Sequence, residues 1–151
     1  MDYLTLKWLH VLSSTVLFGT GIGTAFGLFL ASLRRDRAAL AAATRVVVLA
    51  DWLFTTPAAI VQPLTGYWLA AQAAIPVTRG WLLIAGVVYA IAILCWVSVV
   101  VIQLRMRALL ASAAPSIPAA YWPLFAWWTA LGSVAFCCFV VLFRLMVMKH
   151  P

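Results

Sequence analysis

Glutamate is absent from this sequence, and its only acids are Asp2, Asp36 and Asp51. Charged residues of either sign make up 9% of the chain, against about 25% in ordinary soluble domains. That scarcity excludes a soluble fold with a solvated, charged exterior. Cysteine occurs three times, as Cys95, Cys137 and Cys138, always inside apolar segments, so no disulfide framework is implied. What fills the space is hydrophobic: 67% of the residues, where globular domains carry roughly 45–50%. A chain of 151 residues has one domain's worth of length and cannot hide that much apolar surface from water. The solvent for most of it is lipid.

Ten basic residues against three acids give a net charge of +7. In a soluble protein that balance points to nucleic acid. Here the basic residues cluster in short runs between apolar segments, the pattern of loops at an anionic membrane surface, and no nucleic-acid partner is expected.

Four apolar stretches, near 6–33, 46–73, 81–104 and 122–148, each reach the ~20 residues that cross ~30 Å of hydrocarbon. The first is too long for a cleaved signal peptide and reads as a retained helix. Helices are the one open-ended solution in lipid, because backbone polar groups must bond within their own segment. The breaks carry Arg34, Arg35, Asp36 and Arg37, then Pro76 and Gly80, then Arg105, Arg107, Pro115 and Pro118. Short loops force antiparallel neighbours. The predicted fold is therefore all-α, an up-down-up-down four-helix transmembrane bundle forming one domain over 1–151.

Loops 34–45 and 105–120 hold Arg34, Arg35, Arg37, Arg45, Arg105 and Arg107, more than the Lys7, Arg79, Arg144 and Lys149 of the other side. The positive-inside bias puts those two loops in the cytoplasm and both termini in the periplasm of a bacterial inner membrane.

The informative residues are those that hydrocarbon should reject: His10, Asp51 and Arg144, with Gln62 as a neutral companion. His10 shares an arc of the first span with Ser14, and Lys7 lies one turn towards the surface. Gly23 and Gly27 form a GxxxG pair extended by Gly19, the spacing that lets helix backbones approach closely, against a neighbouring helix or a second protomer. In the second span Asp51, Thr55, Ala58, Gln62 and Thr65 make a stripe with Gly66 at its edge. Pro57 and Pro63 interrupt the hydrogen-bond ladder and free carbonyls for a binding site. Two readings of Asp51 stand: hydrated near the cytoplasmic interface or paired with Arg45 or Arg105, or part of a functional site. The fourth span puts Ser133, Cys137, Arg144 and Met148 on one face, with Arg144 either snorkelling outward or supplying a counter-charge at the level of His10. Asp51 and His10 fall roughly 25 Å apart in depth, too far for a catalytic pair.

An imidazole with cations at its own depth suits one haem b: His10 as the metal ligand, Lys7 and Arg144 for the propionates, Ser14 and Gln62 alongside, and Met148, His150, a residue of a partner or nothing opposite. A cytochrome with two bis-histidine haems is excluded, since His150 is the one other histidine.

The segment Lys7-Trp8-Leu9-His10 resembles the K-x-L-H opening of a superfamily of small bacterial membrane proteins that includes the haem-binding membrane protoporphyrinogen oxidase and the copper-resistance D proteins. Closer still is a sister family of predicted four-helix integral membrane proteins of unknown function. The resemblance runs through the glycine-rich remainder of the first span, Pro57…Gln62-Pro63…Gly66, and Leu145-Met146-Val147…Lys149…Pro151. It implies a four-helix bundle with His10 at the position of the oxidase family's proposed haem ligand. It does not extend to the Trp and the Pro-Arg pair that follow that histidine in the oxidases, so the oxidase reaction is not implied. The leading expectation is an inner-membrane protein of redox or tetrapyrrole handling. The alternatives are a non-enzymatic membrane subunit, assembling as a homo-oligomer or within a larger complex through the GxxxG face, and a small proton-coupled transporter using Asp51.

Overall fold

The computed structural model describes residues 2–78, 80–111 and 116–149. Five helices follow one another: α1 (Tyr3–Arg34), α2 (Arg37–Ala50), α3 (Thr56–Gln72), α4 (Gly80–Leu110) and α5 (Tyr121–Met148). A π-helical turn, Asp51–Thr55, joins α2 to α3 without a break, making one helical column over Arg37–Gln72. The four columns are each long and apolar enough to cross a membrane, and no strand occurs among the described residues. The all-α membrane bundle expected from the sequence is the fold.

Helix ends differ from the expected ones. The loop anticipated over 34–45 shrinks to Arg35 and Asp36. Arg35 closes α1 in the left-handed region, at φ 54°, and the Asp36 carboxylate accepts a hydrogen bond of 2.9 Å from the Ala38 N–H to start α2. Arg45, Arg105 and Arg107 lie exposed on helices, because a long cationic side chain can reach the interface without ending its helix. The loop expected at 105–120 is shortened from its start, since α4 runs on to Leu110; residues 112–115, with Pro115, lie outside the described residues, as does Arg79 of the second loop.

Burial runs opposite to that of a soluble protein. Leu94 is 69% exposed and Val147 82%, whereas Ser32, Thr44, Thr65 and Gln103 are buried. Large apolar side chains cover the lipid-facing surface as well as the core, and Ser32, Thr44 and Thr65 find inside the bundle the partners that hydrocarbon lacks. Hydroxyls with no partner across the bundle bond the turn below: Thr44 donates to the Leu40 carbonyl at 2.7 Å and Ser133 to that of Thr129 at 2.8 Å.

The column α2–α3 packs on α1, and α4 packs on α5; the two pairs meet chiefly where α2 crosses α4. Leu40, Val47, Val99, Met106 and Tyr121 form the core there, at the arginine-rich end. On α4 the buried Ala85, Ala92, Val99 and Met106 recur every seven residues, a knobs-into-holes seam. Arg37 donates to the Leu110 carbonyl at 3.0 Å and caps α4. α1 touches α5 at two levels. Ser32 Oγ and the Tyr121 hydroxyl are 2.8 Å apart near the arginine-rich end. Towards the other end Phe18 stacks on Phe136 at 5.5 Å and meets Phe143 edge-on at 5.1 Å. Between the two clasps the helices part.

The prolines of the second column are accommodated in two ways. Pro57 would drive its ring into the Leu53 carbonyl in a regular α-helix, and the wider π-turn just before it relieves that clash. Pro63 lacks an N–H for the Ala59 carbonyl, and the Tyr89 hydroxyl of α4 donates to that carbonyl instead, at 2.6 Å. The carbonyl freed by Pro63 is thus already satisfied and does not contribute to a binding site. Tyr89→Phe should therefore lower stability in mixed-micelle unfolding by about 1–3 kcal/mol, the cost of a buried unpaired carbonyl. Adding Pro63→Ala, which restores the missing N–H, should recover much of the loss.

Candidate functional site

Two polar centres lie along the α2–α3 column. The first joins α1 to α3. His10 is half-buried, and its Nδ1 lies 2.9 Å from Thr65 Oγ1 and its Nε2 3.1 Å from Gln62 Nε2. An amide nitrogen only donates, so His10 Nε2 accepts and the ring proton sits on Nδ1, aimed at Thr65. Thr65 passes its own proton to the Val61 carbonyl at 2.8 Å. Ser13, buried beneath, donates to Gln62 Oε1. A Cβ on Gly66 would come within 3.2 Å of His10 Cε1, so glycine there lets the ring lie against the α3 backbone. The imidazole points into the bundle, as the rule for ionisable groups in lipid requires.

The other residues expected around His10 do not converge on it. Ser14 donates to the Val11 carbonyl on its own helix, at 2.8 Å. Lys7 and Arg144 are exposed, and Met148 is 50% exposed at the end of α5. His150 lies outside the described residues. A haem needs a free imidazole nitrogen and open space before it. Here both nitrogens are taken, and the cavities on either side of α4 are lined by other residues. In this arrangement the residues do not fit a haem. Among the described residues no cluster of His, Cys and Asp has the make-up of a metal site, and the three cysteines are free.

The glycines of α1 do not pack within the chain. Gly19, Gly23 and Gly27 are exposed, and a Cβ added at any of them would meet nothing within 4 Å. The GxxxG face looks outward because α1 turns Leu17, Leu28 and Ser32 towards its partners instead.

The second centre is the Asp51 carboxyl group, on the π-turn. Asp51 is 6% exposed, too enclosed for the hydrated interfacial position, and neither Arg45 nor Arg105 reaches it. The groups that face it are the Thr55 hydroxyl on the next turn and, from α4, the Trp96 indole and the Gln103 amide. None closes a hydrogen bond of good geometry. Asp51 Oδ2, Thr55 Oγ1, Trp96 Nε1 and Gln103 Oε1 are all buried without a partner, as is Trp128 Nε1 on α5. A native fold rarely leaves so many polar atoms unpaired in one place.

These five residues line one cavity of about 380 Å³, in the gap between α1 and α5. Phe18, Gly21, Gly132, Phe136 and Phe139 form its apolar walls, and Ile22, Phe26 and Phe136 at its rim are exposed. It therefore opens sideways, towards the acyl chains. Gln62 and Thr65 follow Asp51 by eleven and fourteen positions, roughly 16–21 Å along the column, so the two centres are separate. Sequence reasoning placed Asp51 and Thr55 on one stripe but missed Trp96 and Gln103. The available signal was Gln103 on the same heptad face as Val99 and Met106, a polar residue on a helix side that packing had claimed.

Gly66→Ala should lower stability by about 1 kcal/mol in mixed micelles, because the imidazole held by Thr65 and Gln62 must shift. Nitrogen NMR of the labelled wild-type imidazole should show a neutral ring protonated at Nδ1.

Comparison with characterised proteins and with solved structures gave no match. Comparison with protein families gave one, over residues 4–150, described as "Predicted integral membrane protein (DUF2269)". The match spans nearly the whole chain, helices α1 to α5 included, and the protein belongs to that family.

Proposed function

We propose that this integral membrane protein binds a lipid-soluble small molecule, drawn from the bilayer into the cavity between α1 and α5. One observation carries the reading: Asp51, Thr55, Trp96 and Gln103, each with a buried, unpartnered polar atom, together line an apolar space that opens to lipid. Unpaired polar atoms in a low-dielectric interior are costly, and a ligand head group that completes them recovers that cost. Apolar walls with a few convergent polar groups are the general make-up of a small-molecule site. Asp51, as the one acid among these residues, is also where a proton-coupled carrier would exchange its proton. The arginine-rich end faces the cytoplasm of a bacterial inner membrane in this reading, by the positive-inside bias.

A haem on His10 is a separate reading that rests on the family resemblance and requires the imidazole to leave Gln62. Absorption spectra of the purified protein, oxidised and reduced, decide it. The expected result is no Soret band that depends on His10. Assembly is a further part of the proposal: the outward face of Gly19, Gly23 and Gly27 suits a second copy or a partner helix. Gly23→Leu combined with Gly27→Leu should then lower the oligomeric mass in detergent.

The cavity itself is tested by photolabelling in nanodiscs with a neutral trifluoromethyl-phenyl diazirine. Labelling of Phe18, Gly132 and Phe136 should saturate with probe concentration, whereas labelling of lipid-facing Leu94 should rise linearly. Gly132→Leu, whose side chain enters space that is open around the glycine Cα, should abolish the saturable part.

A further inference from the structure

The polar end of the cavity is acidic, and among the described residues no cation stands near it. Six arginines lie at that end of the molecule, yet Arg34, Arg35, Arg45, Arg105 and Arg107 are exposed, and Arg37 reaches over to the Leu110 carbonyl. The carboxylate of Asp51 is left to face a hydroxyl, an amide and an indole. A carboxyl group in a low-dielectric interior is either protonated or paired with a cation, and with no cation of the described residues beside it the ionised form calls for one from outside the chain. The walls around that vacancy are aromatic. Trp96 and Trp128 flank the carboxylate end, and Phe18, Phe136 and Phe139 extend the lining outward. Aromatic ring faces attract cations most strongly where water is excluded.

Resting on the binding reading above, we infer that the ligand is an organic cation, an amine or quaternary ammonium group on an apolar body, held by Asp51 against the aromatic walls of the cavity. The charged group sits at the carboxylate, and when it is a protonated amine the Gln103 side-chain carbonyl offers its N–H a second acceptor. The apolar body runs out between α1 and α5, where the exposed rim residues Ile22 and Phe26 meet lipid. A neutral ligand of the same shape would leave the carboxyl group protonated and gain no charge pairing from it, and an anion would meet its ionised form with repulsion.

The test uses two competitors of one shape in zwitterionic nanodiscs: a phenylbutyl-trimethylammonium salt and its neutral isostere with a tert-butyl group in place of the ammonium. Each competes with the neutral diazirine for the saturable labelling, with concentrations referred to the membrane phase. In the wild type the cation should compete at roughly tenfold lower concentration or better, and in Asp51→Asn the two should become equal. Asp51→Glu should keep the preference. Saturable diazirine labelling of Asp51→Asn shows that the variant is folded with its cavity intact. Equal competition in the wild type overturns the cation inference and leaves the binding reading standing, as does a preference that survives in Asp51→Asn. Absence of any saturable labelling in the wild type overturns both.

Discussion

Lipid offers no hydrogen-bond partner, and that single deficiency governs where nearly every polar atom of this protein lies. The helices satisfy their own backbones, and the exceptions are repaired from the side. Tyr89 crosses from α4 to the carbonyl that Pro63 orphans, and Arg37 crosses from α2 to a terminal carbonyl of α4. Hydroxyls fold back onto their own helices, as Thr44 does, or link two helices, as Ser32 does with Tyr121. In water each of these contacts would contribute little, because solvent would replace it. Inside a bilayer the alternative is an unpaired group, so breaking one costs more than its own strength.

Against that background the two polar centres behave differently. The set around His10 is closed: each donor finds an acceptor, from Ser13 through Gln62 and the imidazole to Thr65 and the Val61 carbonyl. Such a set pins α1 to α3 in one register. The set around Asp51 is open, with an acid, a hydroxyl, an indole and an amide crowded together and unpaired. Closed networks hold structure, and open ones signal a missing partner. The residue most conspicuous in the sequence thus turns out to be part of the framework. The more discreet one, a turn and a half ahead of Pro57, borders the cavity.

Much of the architecture was legible beforehand. Long apolar runs separated by charge can be read without structure, because hydrophobic length is a one-dimensional property. The stripe of Asp51, Thr55, Ala58 and Thr65 could also be read, since helical periodicity holds within each span. Helix ends were less legible. The arginines at 45, 105 and 107 resemble loop residues in composition, and only the Asp36 cap tells where the second column starts. Least legible was the cavity. Its polar end joins residues on the second and third columns, and its opening depends on α1 and α5 parting between the Ser32–Tyr121 hydrogen bond and the Phe18 ring contacts. Both are facts of packing across the bundle, which no single helix encodes. The outward turn of Gly19, Gly23 and Gly27 was hidden for the same reason: spacing identifies a smooth face without telling which neighbour it meets.

The π-turn has a consequence for how this chain can vary. Its wider loop holds one more residue than an α-helical turn would, so everything after Thr55 is rotated by about 100° from the phase that α2 would have continued. Removing any one of the five residues from Asp51 to Thr55 would let the column revert to a regular helix. Gln62 and Thr65 would then swing away from His10, and Tyr89 would lose the Ala59 carbonyl. Substitutions in this stretch act locally, but a change in its length is felt some 15 Å or more along the column. Descendants of this sequence are free to exchange the outward-facing Trp52, Leu53 and Phe54 while being held to the same residue count.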